Sequence, residues 1–250
     1  MASDPLLSPE ETRRYARHLV LKGFGGAGQQ RLKAGRVLVV GAGGLGSPAI
    51  AALAAAGVGH MTIADPDSVS LSNLQRQTLH RLADIGRNKA QSAARFVADL
   101  NPHVETMVLE AGVTAEAATA LVRSFDVVLD GSDTLHTRRM VAAAAEAAKV
   151  PLVSGAVGQF SGQVSVFAPH LGGPRHEALF PAEAGDADLP SCEANGILGP
   201  VTAVIGGLMA VEAIKVLSGI GVPLIGRVLL YDAREAAFHE MMLEGQGAEP

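Results

Sequence analysis

Apolar positions along this chain fall into short unbroken runs separated by stretches of helical spacing. Arg36-Val37-Leu38-Val39-Val40 does not alternate, which marks a strand buried on both faces. His60 to Ala64, Val104 to Leu109, Asp126 to Asp130 and a segment opening at Pro151-Leu152-Val153 read the same way. Between them, Ser47 to Ala56, Asn88 to Leu100, Ala115 to Arg123 and Leu135 to Ala148 read as helices. Upstream, Ser8-Pro9-Glu10-Glu11 opens a helix: Ser8 can cap, Pro9 suits the first helical position, and Glu11 can reach back to the cap. Tyr15, Leu19 and Val20 continue it towards Gly23; a glycine-rich connection to Gly28 and a short helical piece through Leu32 follow.

Strands that alternate with helices predict an α/β fold, a Rossmann-like, mostly parallel sheet with helices on both faces. After Gly155 the pattern changes. Gly162 to Ala168 alternates, and Arg227 to Asp232 and His239 to Leu243 look extended, so antiparallel strands should extend the same sheet. We expect one domain over 1–250, with an N-terminal helical segment over about 8–34. Pro169 to Pro190 is rich in Gly, Pro and Ala without a period, and we expect a mobile crossover loop over about 169–195. Gly196 to Leu217 is strongly apolar, but Pro200, Glu212 and Lys215 interrupt it. A membrane span needs about 20 predominantly apolar residues, so a buried core helix is the expectation.

Composition narrows the function. With 48% hydrophobic and 18% charged residues among 250, there is material for a sizeable core. A net charge of −5 and the absence of any basic run speak against nucleic acid as a partner. One cysteine, Cys192, excludes an intramolecular disulfide and any multi-cysteine metal site. Met1 to Glu11 lacks the apolar core of a signal peptide, and a cytoplasmic protein is expected.

Gly41-Ala42-Gly43-Gly44-Leu45-Gly46 places GxGxxG between a strand and a helix, where N–H groups at the helix start can face phosphate. Asp65 ends the next strand, where a carboxylate accepts bonds from ribose hydroxyls. These residues alone fit a nicotinamide dehydrogenase as well as other nucleotide binders. The run Asp65-Pro66-Asp67-Ser68-Val69-Ser70-Leu71-Ser72-Asn73-Leu74-Gln75-Arg76-Gln77, followed by Lys89, adds an amide, a guanidinium and an ammonium where a triphosphate can lie. Asp130-Gly131-Ser132-Asp133-Thr134 sits at the carboxyl end of a central strand, and Asp133 is placed to share Mg²⁺ with phosphate oxygens.

Together these residues resemble the HesA/MoeB/ThiF family, bacterial relatives of ubiquitin-activating enzymes, from Arg14-Tyr15-Ala16-Arg17 through Tyr231-Asp232. The resemblance implies ATP-dependent adenylylation of the C-terminal glycine carboxylate of a ubiquitin-like sulfur carrier ending in Gly-Gly, of the molybdopterin-synthase or thiamine type. It also implies a homodimer with an ATP site in each subunit. Gly41, Gly43, Gly44 and Gly46 would contact the nucleotide with Asp65 and Asp67; Ser72, Asn73, Leu74, Gln75, Arg76 and Lys89 would line the phosphates; Asp133 and Thr134 would complete the site with Mg²⁺. Arg17 matches an arginine that reaches into the neighbouring subunit's site.

This chain departs from the family in places. Family members often carry two CxxC pairs that bind zinc; here Pro174-Arg175-His176-Glu177-Ala178 stands at the first, and no zinc is expected. Thr134 replaces the usual Asn after the magnesium aspartate, so weaker or altered ATP contact is expected. Nothing is long enough to be the rhodanese-like domain some relatives append, so a separate sulfur donor is expected. Cys192 matches a cysteine that is covalently used in some relatives, though a lone cysteine is more often a small hydrophobe.

Other residues have plain readings. His176 reads as a surface-loop residue without a second metal ligand. Arg138 and Arg139 read as solvated helix residues, one of which can pair with the phosphate-side carboxylates. Two rival functions stand beside adenylylation: a catalytically weak scaffold of the same fold, and an NAD-dependent oxidoreductase, for which no hydride-transfer His or Lys stands out.

Overall fold

The computed structural model describes residues 6–181 and 196–243. Its centre is one sheet of eight strands: β1 (Arg36–Val40), β2 (His60–Ala64), β3 (Glu105–Leu109), β4 (Val127–Asp130), β5 (Leu152–Gly158), β6 (Ser161–Phe167), β7 (Arg227–Asp232) and β8 (Ala237–Met242), in the order β3-β2-β1-β4-β5-β6-β7-β8. The first five pair in parallel and the last three are added antiparallel, as the change of pattern after Gly155 predicts.

The helices are α1 (Pro9–Arg14), α2 (Ala16–Leu19), α3 (Gly25–Ala34), α4 (Gly46–Ala56), α5 (Lys89–Leu100), α6 (Ala115–Val122), α7 (Leu135–Ala148) and α8 (Gly199–Ser218). Side chains of β1 alternate between two buried layers. Val37 and Val39 join Ile50, Leu53, Ile205 and Met209 on one face, while Leu38 and Val40 join Val128, Val141 and Leu152 on the other. Both faces are therefore dry, which is why the strands read as unbroken apolar runs. The apolar α8 packs on this sheet, and its buried Glu212 pairs with Lys215 at 2.5 Å and accepts the Leu224 N–H at 2.8 Å.

Two expectations near the N-terminus need correcting. Tyr15 does not continue a helix: it caps α1 and begins α2, with φ −96° and ψ 15°. Its ring lies on Gly57, where an added Cβ would stand 2.4 Å from the ring, and its hydroxyl accepts from Asn101 at 2.8 Å. That tertiary contact outweighs helical spacing, and Val20, expected on the same face, is exposed. The next helix begins at Gly25, inside the expected glycine connection. In the described part of the expected crossover loop there are two 3-10 turns, Pro169–Leu171 and His176–Ala178.

Candidate functional site

At the carboxyl ends of β1, β2 and β4 a cavity of about 610 Å³ opens. The glycine loop forms one wall, and two close approaches shape it. Gly41 has φ +91°, and an added Cβ would stand 3.0 Å from the Gly131 carbonyl oxygen. At Gly46 an added Cβ would fall 1.9 Å from the Gly41 oxygen. Gly43 and Gly44 line the cavity, whereas Gly46 serves the turn beneath it. The helix that follows, α4, has no side-chain cap at its start; the Ser47 N–H is taken by the Gly43 carbonyl at 2.9 Å and Pro48 has none, which leaves the N–H groups of Leu45 and Gly46 for a ligand.

Ala42 is held from two sides. Its N–H donates to Asp65 Oδ2 at 2.7 Å, and His80 Nε2 lies 2.9 Å from its carbonyl oxygen. The other Asp65 oxygen accepts the Asp67 N–H at 2.9 Å. Burial pushes the Asp65 pKa up, against these backbone bonds and the nearby Lys89 charge, which favour the carboxylate. Lys89, at the start of α5, reaches the rim and pairs with Asp67 Oδ2 at 2.8 Å. Asn88 caps that helix through the Gln91 N–H at 3.1 Å and donates to the Asp65 carbonyl at 2.8 Å, so it ties the lysine to the end of β2.

Of the run Ser72 to Gln77, the structure brings Arg76 and Gln77 to the cavity and leaves Ser72, Asn73, Leu74 and Gln75 off its wall. Those four form or follow a 3-10 turn (Leu71–Asn73) closed on itself: Asn73 Oδ1 accepts the Ser70 N–H at 3.1 Å, and Ser72 Oγ lies 3.0 Å from Ser70 Oγ. Their service is to present Arg76, whose Nη1 donates to the Ser72 carbonyl at 3.2 Å. The Gln77 amide lies beside Gly43, and its buried Oε1 has no partner among the described residues. An orphaned acceptor there suits a ligand that brings a hydroxyl or a bound water.

The facing wall carries Ser132, Asp133, Thr134 and Arg138. Asp130 is fully buried; Oδ1 accepts from the Ser132 N–H (3.0 Å) and hydroxyl (2.6 Å), while Oδ2 faces Arg138 Nη1 (3.3 Å) and Ser154 Oγ (3.4 Å). Arg138 is therefore the arginine that pairs with a carboxylate, and it is buried, not solvated. It also donates to the Ser132 carbonyl and lies under the Phe180 ring at 5.5 Å. Arg139 donates to the Pro181 carbonyl at 2.7 Å. Thr134 caps α7, accepting the Thr137 N–H at 3.2 Å.

Three carboxylates line the cavity. Asp65 is occupied by backbone donors and Asp67 by Lys89, which leaves the exposed Asp133 for a cation. A carboxylate beside phosphate oxygens and water is the hard-oxygen donor set that Mg²⁺ takes, so the residues present fit that ion. With a glycine turn, an uncapped helix start, Arg76 and Lys89 on one side and Asp133 on the other, the cavity can hold a nucleoside triphosphate.

Some expected site residues lie elsewhere. Arg17 is exposed on α2 and does not line this cavity. Cys192 lies outside the described residues. His176 is not a surface residue: it is buried, stacked on Phe180 at 4.6 Å and edge-on to Phe167 at 5.0 Å. Burial in this aromatic nest lowers its pKa from 6.5 to about 4. Phe167 ends a strand and Phe180 follows four residues on in an aperiodic loop, so no regular spacing gave a sign of the nest. Sequence reasoning also missed Gln77, Thr202, His80 and the stretch Ala111-Gly112-Val113; a lone Thr in the apolar helix α8 was the one usable hint.

Comparison with known proteins identifies the family. The ThiF family model matches residues 15–248. MoeZ of Mycobacterium tuberculosis, a probable adenylyltransferase/sulfurtransferase, is 43% identical over 98% of this chain, and the chain spans 63% of its length. The sulfur carrier protein adenylyltransferase of Thermus thermophilus is 46% identical over 93% of this chain and 87% of its own. The Escherichia coli molybdopterin-synthase adenylyltransferase is 44% identical over 95% and 94%. Among solved structures, E. coli MccB with MccA-N7isoASN superposes with a TM-score of 0.82 at 20% identity, over 97% of this chain and 74% of that one, a likeness of fold. On the family model and on these relatives, the chain belongs to the ThiF family.

Proposed function

We propose that this protein adenylylates the C-terminal carboxylate of a ubiquitin-like sulfur carrier, using ATP with Mg²⁺. The observation that carries the reading is the convergence of the glycine loop, Arg76, Lys89 and Asp133 on one cavity. The names of the relatives supply the substrate class, a sulfur-carrier or molybdopterin-synthase protein; a thiamine-type carrier is the alternative substrate to be tried.

A C-terminal carboxyl has an unperturbed pKa of about 3.5, so near neutral pH it is already an anion and needs no general base. The obstacle is an anion approaching a polyphosphate. Arg76 and Lys89 offset that charge from the loop side, and the buried stem of Lys89 fixes its ammonium at the rim. Bound Mg²⁺ would withdraw charge from the phosphate oxygens beside Asp133. Asp65 receives ribose hydroxyls while its backbone bonds keep it in place. Holding the carrier tail in line with the α-phosphate can contribute on the order of 7–11 kcal/mol at ideal geometry. The products are an acyl-adenylate and pyrophosphate, and a sulfur donor then attacks the activated carbonyl and displaces AMP.

The exposure of Arg17 outside its own chain's cavity supports a homodimer in which it serves the other subunit's site. ATP–pyrophosphate exchange with purified protein, Mg²⁺ and carriers ending in Gly-Gly tests the reading. Exchange that requires the final glycine is the expected result. ATP binding without exchange for any carrier of either type would overturn it in favour of a catalytically silent scaffold.

A further inference from the structure

Beneath the glycine loop lies a buried histidine that the proposed chemistry does not use. His80 follows the Arg76-Gln77 pair, is 5% exposed, and does not line the cavity. Its Nε2 is 2.9 Å from the Ala42 carbonyl oxygen and its Nδ1 is 2.9 Å from Ser92 Oγ in α5. A carbonyl can only accept, so Nε2 carries the proton. In the neutral ring Nδ1 is then an acceptor facing the Ser92 hydroxyl, whose one proton is shared between this nitrogen and the Asp84 carboxylate. Burial holds the His80 pKa down and favours the neutral ring, as does the ammonium of Lys89, against the bond to the Ala42 carbonyl and the charges of Asp84 and Asp65.

What this fixes is a peptide plane. In a trans peptide the carbonyl and the next N–H point in opposite directions, and the described chain has no cis bonds. The Ala42 carbonyl is drawn down onto His80 at 2.9 Å, with the Ser47 hydroxyl a longer second donor at 3.3 Å, so the N–H of Gly43 must point the other way, and Gly43 lines the cavity. No acceptor among the described residues takes that N–H. The preceding plane is pinned as well, through the Ala42 N–H on Asp65. Glycines let the loop adopt this shape, but they also let it leave; a chain without side chains at four of six positions needs an outside hold.

We propose that His80 is a positioning residue that aims the Gly43 N–H at the phosphates of the bound nucleotide, with Ser92 fixing the ring. The proposal rests on the cavity's being a polyphosphate site, as argued above. It makes the loop a preorganised anion site, whose donors need no rearrangement when charge arrives.

The test compares ligands that differ only in phosphate. Wild type, His80→Phe, His80→Gln and Ser92→Ala are titrated with Mg-ATP and with adenosine. His80→Phe keeps the ring shape without the donor and should weaken Mg-ATP binding about tenfold while adenosine binding stays within about twofold, the scale of one charge-assisted hydrogen bond. His80→Gln restores an N–H and should recover most of the loss; Ser92→Ala should give a smaller loss of the same kind. In ¹⁵N-labelled protein, pyrophosphate should shift the Gly43 amide in wild type and much less in His80→Phe. Equal loss of adenosine and ATP affinity, or unchanged ATP affinity in a folded His80→Phe, would overturn the positioning role. Should His80→Phe not fold, Ser92→Ala and the Gly43 amide carry the decision: an undisturbed pyrophosphate shift in Ser92→Ala with ATP binding intact overturns it. Wild type that binds adenosine but gains nothing from its phosphates would instead sink the polyphosphate reading itself.

Discussion

The two walls of the cavity are held in place by different means. On the glycine-loop side the cavity-facing groups are anchored mainly through main chain: Ala42 between Asp65 and His80, Asp65 between two N–H groups, Lys89 at a capped helix start, and Arg76 on the Ser72 carbonyl. On the Asp133 side, the turn after β4 is held by long side chains meeting in a dry core. Arg138 joins Asp130, the Ser132 carbonyl and the Phe180 ring, and His176 closes the far side of that ring. The first construction depends on backbone geometry and tolerates little added volume. The second depends on keeping a buried charge paired and a buried imidazole neutral. Substitution should therefore damage the two walls in different ways, and that difference can be measured.

The largest effect should come from Arg138→Met. It removes the cation beside Asp130, a carboxylate with no exposure, and loss of one partner of a buried pair typically costs about 3–5 kcal/mol. Urea unfolding should show that loss, and adding Asp130→Asn should return part of it because the orphaned charge is gone. A loss under about 1 kcal/mol, the scale of an exposed ion pair, would mean that the second wall does not rest on this pair.

Next comes acid sensitivity through His176. Its folded pKa is about 4 against an ordinary 6.5, so below 6.5 the unfolded chain binds a proton that the folded chain refuses. Stability from this residue is complete above pH 6.5 and is lost as pH falls towards 4, by about 3 kcal/mol at most. His176→Phe should flatten that part of the pH–stability curve and be no less stable at pH 5 than the parent. A curve of unchanged slope would show that the imidazole is hydrated.

On the glycine side, Gly46→Ala puts a methyl 1.9 Å from the Gly41 oxygen. Shifts of that kind cost about 1–3 kcal/mol, and because they fall on the loop itself, ATP affinity should drop out of proportion to stability. Arg138→Met should show the reverse balance.

The same contrast explains how much could be read in advance. β1, β2 and β7 and the helix Leu135–Ala148 have the bounds their sequence indicates, because each is a local pattern of buried faces or caps. The glycine loop and Asp65 were legible for the same reason: a motif records backbone demands within a few residues. The second wall was not. His176 meets Phe180 four residues on, where the chain turns, and both pack back on Phe167 at the end of β6, while Arg138 meets Asp130 across the start of α7; neither contact has a periodic signature, so these residues looked like ordinary surface residues. Tyr15 failed as a helix residue because Gly57 and Asn101, far along the chain, receive its ring and hydroxyl.

The smallest effect is the most informative about family departure. Thr134 stands where relatives usually have Asn, and its hydroxyl caps α7 by accepting the Thr137 N–H at 3.2 Å. Asn caps helices slightly better than Thr, and Ala does not cap at all. Thr134→Ala should cost about 1 kcal/mol of stability, whereas Thr134→Asn should match or exceed the parent. The cap also sets the backbone next to Asp133, so activity separates two accounts. If Thr134 serves the site by capping, activity follows stability: Asn equals Thr, and Ala falls modestly, through a slackened Asp133. If the side chain at this position touches nucleotide directly, Asn raises kcat/KM well beyond its stability gain, and the threonine is a compromised contact. The hydroxyl is already engaged with Thr137 through both the backbone N–H and the Oγ1 contact at 2.9 Å. That engagement leads us to expect the first outcome, with Asn preserving the helix start and leaving Asp133 in place.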